Sequence, residues 1–245
     1  MIKFFRKIRY NLIDTGKTAK YLKYAIGEIF LVVIGILIAL QVNSWTEAKK
    51  LKATEKETYS SLLTSLRKDS LELVRVIDLQ SKSLEAQNII ISASAHDVLH
   101  NMTPDEISEL LFNAHNGGYS FFPKYGTYNS LISNKGINII RSESIKSELI
   151  DLYDYWCRRY ENVDNVLDKK FHNELFPFLQ KEIGFFVNSD LAYNLVDNAL
   201  FDKGYEDLRL QCENVNFLTT HSIIQLKNIQ EKVNWLIEEI ESQLN

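Results

Sequence analysis

The sequence predicts an all-α protein, with one N-terminal transmembrane helix followed by a helical bundle whose first and last helices are long. Three observations predict this class. Only three prolines and nine glycines interrupt the 245 residues, which suits long helices better than a sheet with many tight turns. An apolar run near the N-terminus is long enough to cross a bilayer. Two long segments repeat apolar residues at alternating steps of three and four, the spacing of one helix face.

Residues 1–24 form a basic tail. They carry seven Lys or Arg and one Asp, a charge of +6, and the remaining residues carry −10, which brings the whole chain to −4. Because that acidic remainder has no concentrated basic face, we expect no nucleic-acid binding. Apolar residues recur at helical spacing in the tail, as in a helix lying on an anionic leaflet. A disordered flank that only sets the topology fits equally well.

The next element is a transmembrane signal anchor at residues 25–43. Residues 29–40 are apolar without interruption, and about 18 apolar residues correspond to about 27 Å of helix. A cleaved signal peptide is the alternative, but no convincing small-residue cleavage site follows the run. Since Lys and Arg stay on the cytoplasmic side, we expect a cytoplasmic N-terminus at the inner membrane. Residues 44–245 then form a helical extracytoplasmic (periplasmic) domain.

Three residues of the anchor could mediate association between membrane helices: Glu28, Gly35 and Ala39. They share one stripe of the helix, and the spacing of the two small residues allows a second helix to approach closely. A buried membrane charge usually faces protein rather than lipid. In the alternative, Glu28 reaches back to the interface and the small residues have no such role.

The anchor also carries a family resemblance, in the run that begins Gly27-Glu28-Ile29-Phe30 and ends Asn43-Ser44-Trp45. It resembles a bacterial domain-of-unknown-function family of small single-pass membrane proteins with a basic N-terminal tail. A looser likeness covers Thr127 to Ile140, where that family tends to show a turn between helices. The resemblance implies a helical extracytoplasmic domain of uncharacterised role and no catalytic residues.

Two long helices begin and end the domain. No Pro or Gly occurs in residues 46–99, which predicts one helix as far as Leu99. Its apolar face comprises Tyr59, Leu63, Leu66, Leu73, Ile77, Leu84 and Ile91, interrupted by Ser70, Gln80 and Gln87. The face of the last helix comprises Val215, Leu218, Leu226, Ile229, Val233, Leu236, Ile240 and Leu244, with Ser222 between. Such helices can pair antiparallel and bury each other's apolar face.

Shorter helices are predicted between them. Thr103-Pro104 is a helix start, and Asn116-Gly117-Gly118 ends that helix. A further helix is predicted from Ser142 to about Phe171, and a short one after Ser189. The aromatic stretch at residues 119–128 lies where helical patterns fail. It is either a ligand-facing loop or a loop whose rings plug the end of the bundle.

The only candidate metal ligands are His96 and His100. Two histidines four apart share one helix face, and Asp97 beside the first gives a variant of the zinc-protease helix with Asp in place of Glu. A third ligand could come from His115, Glu106 or Glu109, and the alternative is a pair of surface histidines. No cofactor is predicted, because no Gly-rich phosphate loop, nucleophile elbow or paired-cysteine motif occurs.

Cys157 and Cys212 are the two cysteines. In an oxidising compartment they could form a disulfide, and the alternative is two buried thiols. The leading functional hypothesis is a non-enzymatic interaction or scaffold module of the cell envelope, which binds itself or another envelope protein. A ligand-sensing helical module is the alternative, and a metal-dependent hydrolase the remote one.

Overall fold

A computed structural model describes residues 18–133, 136–188 and 192–244 of the chain, without the side chains of residues 18–21 and Tyr24. The prediction for the basic tail therefore lies largely outside the described residues. Those residues are mostly helical and contain no β-strand, only one isolated antiparallel bridge between Val187 and Tyr193. The all-α prediction is confirmed. The chain divides into two compact units, Met1–Glu55 and Lys56–Asn245.

The described part of the first unit is the beginning of helix α1 (Thr18–Ser92). Side chains at residues 29–54 are all exposed, including the whole apolar run. Among the residues that the structure describes, α1 is the one helix long and apolar enough to span a bilayer, judged by length and composition. The predicted anchor is therefore helical and has no core of its own to bury its apolar side chains.

The second unit is a bundle built on α1 and the last helix. The remaining helices are α2 (Ala95–Asn101), α3 (Pro104–His115), α4 (Tyr125–Ser133), α5 (Glu143–Ile150), α6 (Arg158–Lys170), α7 (Phe176–Phe178) and α8 (Asn198–Leu244). Short 3-10 turns occur at Asn116–Gly118 and Gly136–Ile139. As predicted, Thr103 caps α3 at Pro104, and the Asn116-Gly117-Gly118 turn follows its end.

Helices α1 and α8 run antiparallel. Arg67 bonds Glu241 at 2.7 Å near one end of the pair, and Asn88 bonds Asn216 at 2.9 Å further along. Rising numbers on α1 therefore meet falling numbers on α8, as the two apolar faces predicted. The prediction that α1 continues to Leu99 is wrong.

Helix α1 ends at Ser92, and a new helix begins because Ser94 forms a capping box with Asp97. The Ser94 hydroxyl accepts from the Asp97 backbone N–H at 3.1 Å, and the Asp97 carboxylate accepts from the Ser94 backbone N–H at 3.3 Å and from its hydroxyl at 2.7 Å. These bonds satisfy backbone donors at the start of α2. No Pro or Gly is needed for such a break, so the composition gave no warning of it.

Residues 143–183 form one continuous helical segment, which we call the middle segment. It is longer than the helix predicted from the sequence. Helices α5 and α6 are joined by a π-helical turn at Asp151–Cys157, and α6 and α7 by another at Phe171–Leu175. A third π-helical turn, Leu179–Ile183, follows α7. The segment ends at Gly184, whose φ of 72° is left-handed and therefore favours glycine. The predicted short helix after Ser189 is wrong, since residues 192–197 are not helical and α8 begins at Asn198.

The core of the second unit consists of two hydrophobic clusters. Cluster 1 includes Leu62, Leu66 and Leu73 of α1, Tyr153 and Tyr160 of the middle segment, and Leu226 to Ile240 of α8. Cluster 2 includes Ile90 of α1, the buried face of α3, Phe171 to Ile183, and Phe201 to Val215 of α8. The division falls near the middle of the α1–α8 pair.

A polar layer separates the two clusters along that pair. It consists of six buried residues: Gln80, Ser83 and Gln87 of α1, and Thr219, Ser222 and Gln225 of α8. The Ser83 hydroxyl donates to the carbonyl of Ala114 at 2.8 Å. The Gln87 amide donates to Ser83 at 3.0 Å and to Thr219 at 3.3 Å. The polar interruptions in the two apolar faces thus pack against each other and against the end of α3.

Candidate functional site

The aromatic loop, residues 119–124 between the Asn116–Gly118 turn and α4, is held by side chains from other parts of the second unit. The Gln80 amide donates to the carbonyl of Tyr119 at 2.8 Å. The backbone N–H of Phe121 donates to the hydroxyl of Tyr160 at 2.9 Å. Because α1 and the middle segment both hold its main chain, the loop has a defined conformation.

A buried carboxylate holds the far end of this loop. Asp69 is 1% exposed, and its two carboxylate oxygens accept from the backbone N–H of Lys124 at 3.0 and 3.2 Å. Burial raises the pKa of Asp69 to about 6, against the lowering effect of the Lys124 bond. Sequence reasoning missed Asp69, since an isolated acid beside an apolar face gives no local indication of burial.

The rings of the loop divide between core and surface. Phe121 and Tyr128 are each 2% exposed and belong to cluster 1, with Tyr128 stacked on Tyr153 at 4.6 Å. They plug the bundle, as one alternative predicted. Phe122, in contrast, is 69% exposed. The other alternative, a ligand-facing loop, therefore has one free ring to support it.

The free ring borders a cleft of about 280 Å³ that we call the aromatic–acidic cleft. One wall is the aromatic loop with the start of α4, and the other is one face of α6. The lining residues are Phe121, Phe122, Pro123, Tyr125, Glu161, Asp164 and Asn165. Sequence reasoning singled out the three loop residues and Tyr125 but missed the three residues on α6, because their proximity depends on tertiary packing.

Tyrosine hydroxyls are the hydrogen-bond donors to both carboxylates of the cleft. Tyr125 donates to Glu161 at 2.7 Å, and Tyr160 donates to Asp164 at 2.8 Å. Burial raises the pKa of Asp164, and the negative charges of Asp168 and Glu161 raise it further. The α6 wall therefore carries acidic charge that neutral groups, rather than lysine or arginine, hold in place.

A second, smaller cavity of about 180 Å³ lies at the other side of the loop. Its lining residues are His115, Gly118, Tyr119, Phe171 and His172. The Nδ1 atom of His172 lies 3.1 Å from the Asp168 carboxylate, and the His115 ring packs at a tilt against Phe176 with centroids 4.4 Å apart. Burial, chiefly, lowers the pKa of His115, which favours the neutral form of this imidazole.

Glycine is required beside that cavity. A Cβ atom on Gly117 would lie 2.4 Å from the Phe171 ring, and one on Gly118 would lie 2.8 Å from the Phe171 Cβ. These glycines let the end of α3 approach the middle segment, which positions both cavities relative to the loop.

The predicted metal ligands His96 and His100 lie on one face of α2, with ring centroids 5.8 Å apart. The His96 side chain is 87% exposed. Asp97 is bound within the capping box of Ser94, and Glu106 within that of Thr103. Across residues 18–133, 136–188 and 192–244, no group of three or more His, Cys, Asp or Glu side chains could hold a metal ion. The structure thus supplies no third ligand among them.

The two cysteines are free thiols in separate clusters. Cys157 lies in cluster 1 and Cys212 in cluster 2, so the structure does not bring them together as a disulfide would require. Burial raises the pKa of both thiols, that of Cys212 to about 12. Both therefore have the packing of structural thiols rather than that of reactive ones.

Within the anchor, Gly35 is open to approach. A Cβ atom placed on Gly35 would meet nothing within 4 Å, and Ala39 is exposed one turn later. Glu28 is half-buried. The predicted contact face at Gly35 and Ala39 is thus unobstructed.

The last feature is a line of exposed apolar side chains on α8, which we call the apolar stripe. It comprises Leu210, Phe217, Ile224 and Trp235, whose exposed fractions are 49%, 67%, 49% and 37%. Steps of seven residues drift only about 20° each around a helix, so the first three members follow one line. His221 packs beside Phe217 at 4.8 Å. Sequence reasoning considered only the opposite, buried face of α8.

A known family model matches most of the chain. The family model described as Family of unknown function (DUF6090) matches residues 28–203. The chain belongs to this family. The predicted resemblance to a domain-of-unknown-function family is therefore confirmed. The DUF6090 match begins at Glu28 and covers the whole aromatic loop and both walls of the cleft. No curated protein and no solved structure shows significant similarity to the chain.

Proposed function

We propose that this chain is a membrane-anchored, non-enzymatic interaction module of the cell envelope that associates with a second copy of itself. The observation that carries the proposal is the apolar stripe of α8. Soluble monomers seldom leave aligned large apolar side chains in water, and such surfaces mark interaction sites. Phe217 is the middle one of the three members that are seven residues apart, and it is the most exposed of the four side chains in the stripe.

A second copy fits the stripe because its spacing is self-complementary. In a parallel, in-register pair of α8 helices, residues seven apart meet their own counterparts across the two-fold axis. Leu210, Phe217 and Ile224 would then stack in three successive layers. Their seven-residue spacing supports an in-register pair of two copies.

The membrane part of the proposal rests on the first unit. The apolar side chains of residues 29–40 are all exposed, which suits lipid contact better than water. The basic residues before them favour a cytoplasmic N-terminus in the inner membrane, a tail at residues 1–24, an anchor at 25–43 and an extracytoplasmic domain at 44–245. Gly35 and Ala39 would supply a second, independent contact between anchors.

A non-enzymatic role is supported by how the polar groups of the bundle are used. Asp69 holds a loop, Asp97 and Glu106 cap helices, and Asp151 and Glu148 hold Lys232 at 2.8 and 2.6 Å. Each of these acids has a structural task. A metal-dependent hydrolase built on His96 and His100 gains no support beyond the proximity of the two rings.

Self-association is tested by disulfide trapping at the stripe. In full-length protein carrying Cys157→Ser and Cys212→Ser, Phe217→Cys places the only thiol at the proposed two-fold axis. We expect this variant to form a disulfide-linked dimer when membranes that contain it are treated with a thiol oxidant. The matched control is Leu71→Cys, because Leu71 is 75% exposed but lies on α1, off the stripe.

The outcomes are distinct. A dimer at position 217 that is absent at position 71 supports the proposal, and Ile224→Glu added to the Phe217→Cys chain should abolish it. Equal trapping at both positions, or none at 217 while the chain is folded by circular dichroism, overturns self-association. Gly35→Leu tests the anchor contact separately, through loss of association in a membrane reporter that holds the anchor alone.

Ligand sensing is the second candidate, and the aromatic–acidic cleft is the observation that favours it. The cleft and the stripe share no residue, so the two functions are testable independently. Its chemistry is developed below.

A further inference from the structure

We propose that the aromatic–acidic cleft binds an organic cation of side-chain size, an alkylammonium or guanidinium group. The site goes beyond self-association, since none of its residues belongs to the apolar stripe. Its volume of about 280 Å³ lies just below the range usual for small-molecule pockets. A group the size of a lysine or arginine side chain suits it better than a larger ligand.

The walls of the cleft are formed before any ligand arrives. Main-chain bonds from Phe121 to Tyr160 and from Lys124 to Asp69 fix the loop, and the hydroxyl of Tyr125 fixes its ring against Glu161. Binding to a preorganised site loses little conformational entropy. Contacts between a ligand and the lining residues therefore add to the binding affinity, because little of their free energy is lost in ordering the loop.

The charge of the cleft selects a cation. Glu161 and Asp164 are three residues apart on α6, so their carboxylates share one helix face. Both are held by tyrosine hydroxyls, which leaves their negative charge without a neutralising partner in those bonds. The carbonyl or amide of Asn165 adds a polar group beside them, and an anion would be repelled.

The aromatic wall selects an organic cation rather than a metal ion. Phe121, Phe122 and Tyr125 line the cleft, and Phe122 is exposed enough to cover a ligand there. Ammonium and guanidinium groups are attracted to such faces. A divalent cation prefers a full set of oxygen ligands, and the described residues contain no group of three or more metal-binding side chains.

Binding is measured on full-length protein in nonionic micelles by titration calorimetry and saturation-transfer NMR, with n-butylammonium and n-butylguanidinium as probes. The neutral probe n-butanol and the anionic probe butyrate have matched alkyl chains. We expect dissociation constants on the order of a millimolar for the cations, and at least tenfold weaker binding of the other two probes.

Three variants locate the binding. Glu161→Gln with Asp164→Asn keeps acceptors for the two tyrosine hydroxyls and should weaken cation binding at least tenfold. Phe122→Ala should weaken it about threefold to thirtyfold, the range of a cation–π contact. The control is Asp105→Asn with Glu109→Gln, which removes the same charge from exposed positions of α3 and should change nothing.

A comparison of probes identifies the source of the cation. If capped lysine or arginine amides bind more tightly than the bare butyl probes, the ligand is a side chain of a partner protein. If the bare amine binds equally well or better, it is a small molecule. Equal binding of cation and n-butanol, absence of cation binding at high millimolar concentration, or equal loss in the α3 control overturns the proposal.

Discussion

Replacement of Asp69 by Asn should change how the stability of the bundle depends on pH. The carboxylate is 1% exposed and accepts two bonds from the backbone N–H of Lys124. An Asn side chain has nearly the same shape, and its carbonyl oxygen can accept from the same N–H. The variant therefore removes a buried ionisable group while it keeps the contact that holds the aromatic loop.

The magnitude follows from the pKa of Asp69. Burial raises it from 3.8 to about 6, and this difference corresponds to about 3 kcal/mol. Between these two pH values the folded protein retains a proton that the unfolded chain has released. The contribution of Asp69 to stability is therefore fully present below about pH 4, and it is lost as pH rises through about 6.

The assay is urea unfolding of the full-length protein in nonionic micelles at several pH values, followed by tryptophan fluorescence. Trp156 packs against cluster 1 and reports on it. Differences between wild type and Asp69→Asn cancel the titration of independent groups. The free energy of unfolding of the variant, relative to wild type, should rise by about 3 kcal/mol from about pH 4 to about pH 7.

The control is Asp202→Asn, which removes one carboxylate from an exposed position of α8. A difference between wild type and Asp69→Asn that stays constant across this pH range would refute the reasoning, since it would mean that Asp69 titrates alike in the folded and unfolded chain.

Two further predictions concern backbone and thiols. Gly184→Ala should destabilise the bundle by about 1–2 kcal/mol, because Gly184 has a φ of 72°. Gly126→Ala, at a helical site where a Cβ meets nothing within 4 Å, should be neutral or slightly stabilising in the same urea titration. Equal effects of the two changes would contradict this account of Gly184. Cys157 and Cys212 should resist a thiol reagent until the protein is denatured, and electrophoretic mobility should not depend on reductant; a mobility shift with reductant would show a bridge.

Local sequence patterns predicted much of the helical framework. The start of α3 at Thr103-Pro104 and the turn at Asn116-Gly117-Gly118 depend on residues within a few positions of each other, so their chemistry is visible in sequence. The buried face of the second half of α8 likewise follows from its spacing. The aromatic stretch was also evident in the sequence, but the sequence did not show which of its rings are buried in the core and which are exposed at the cleft.

Only part of the buried face of α1 was predictable in this way. Of the seven apolar residues of the face chosen from the sequence, Tyr59, Leu63, Leu66 and Leu73 are buried and the other three are partly buried. The buried face is wider than predicted and also includes Leu62, Asp69, Val76, Ser83 and Ile90. Asp69 and Ser83 are polar, so a search for apolar periodicity passes over them.

The sequence by itself therefore determined the helical class, the apolar segment near the N-terminus and both ends of α3, because each depends on residues close together in the chain. Only the tertiary structure decided which polar residues are buried and where the loop is held. Asp69 meets Lys124 across 55 residues, and Gln87 meets Thr219 across 132. The cleft between the aromatic loop and α6 is likewise a long-range contact, and no local pattern specifies which distant group will satisfy a buried polar atom.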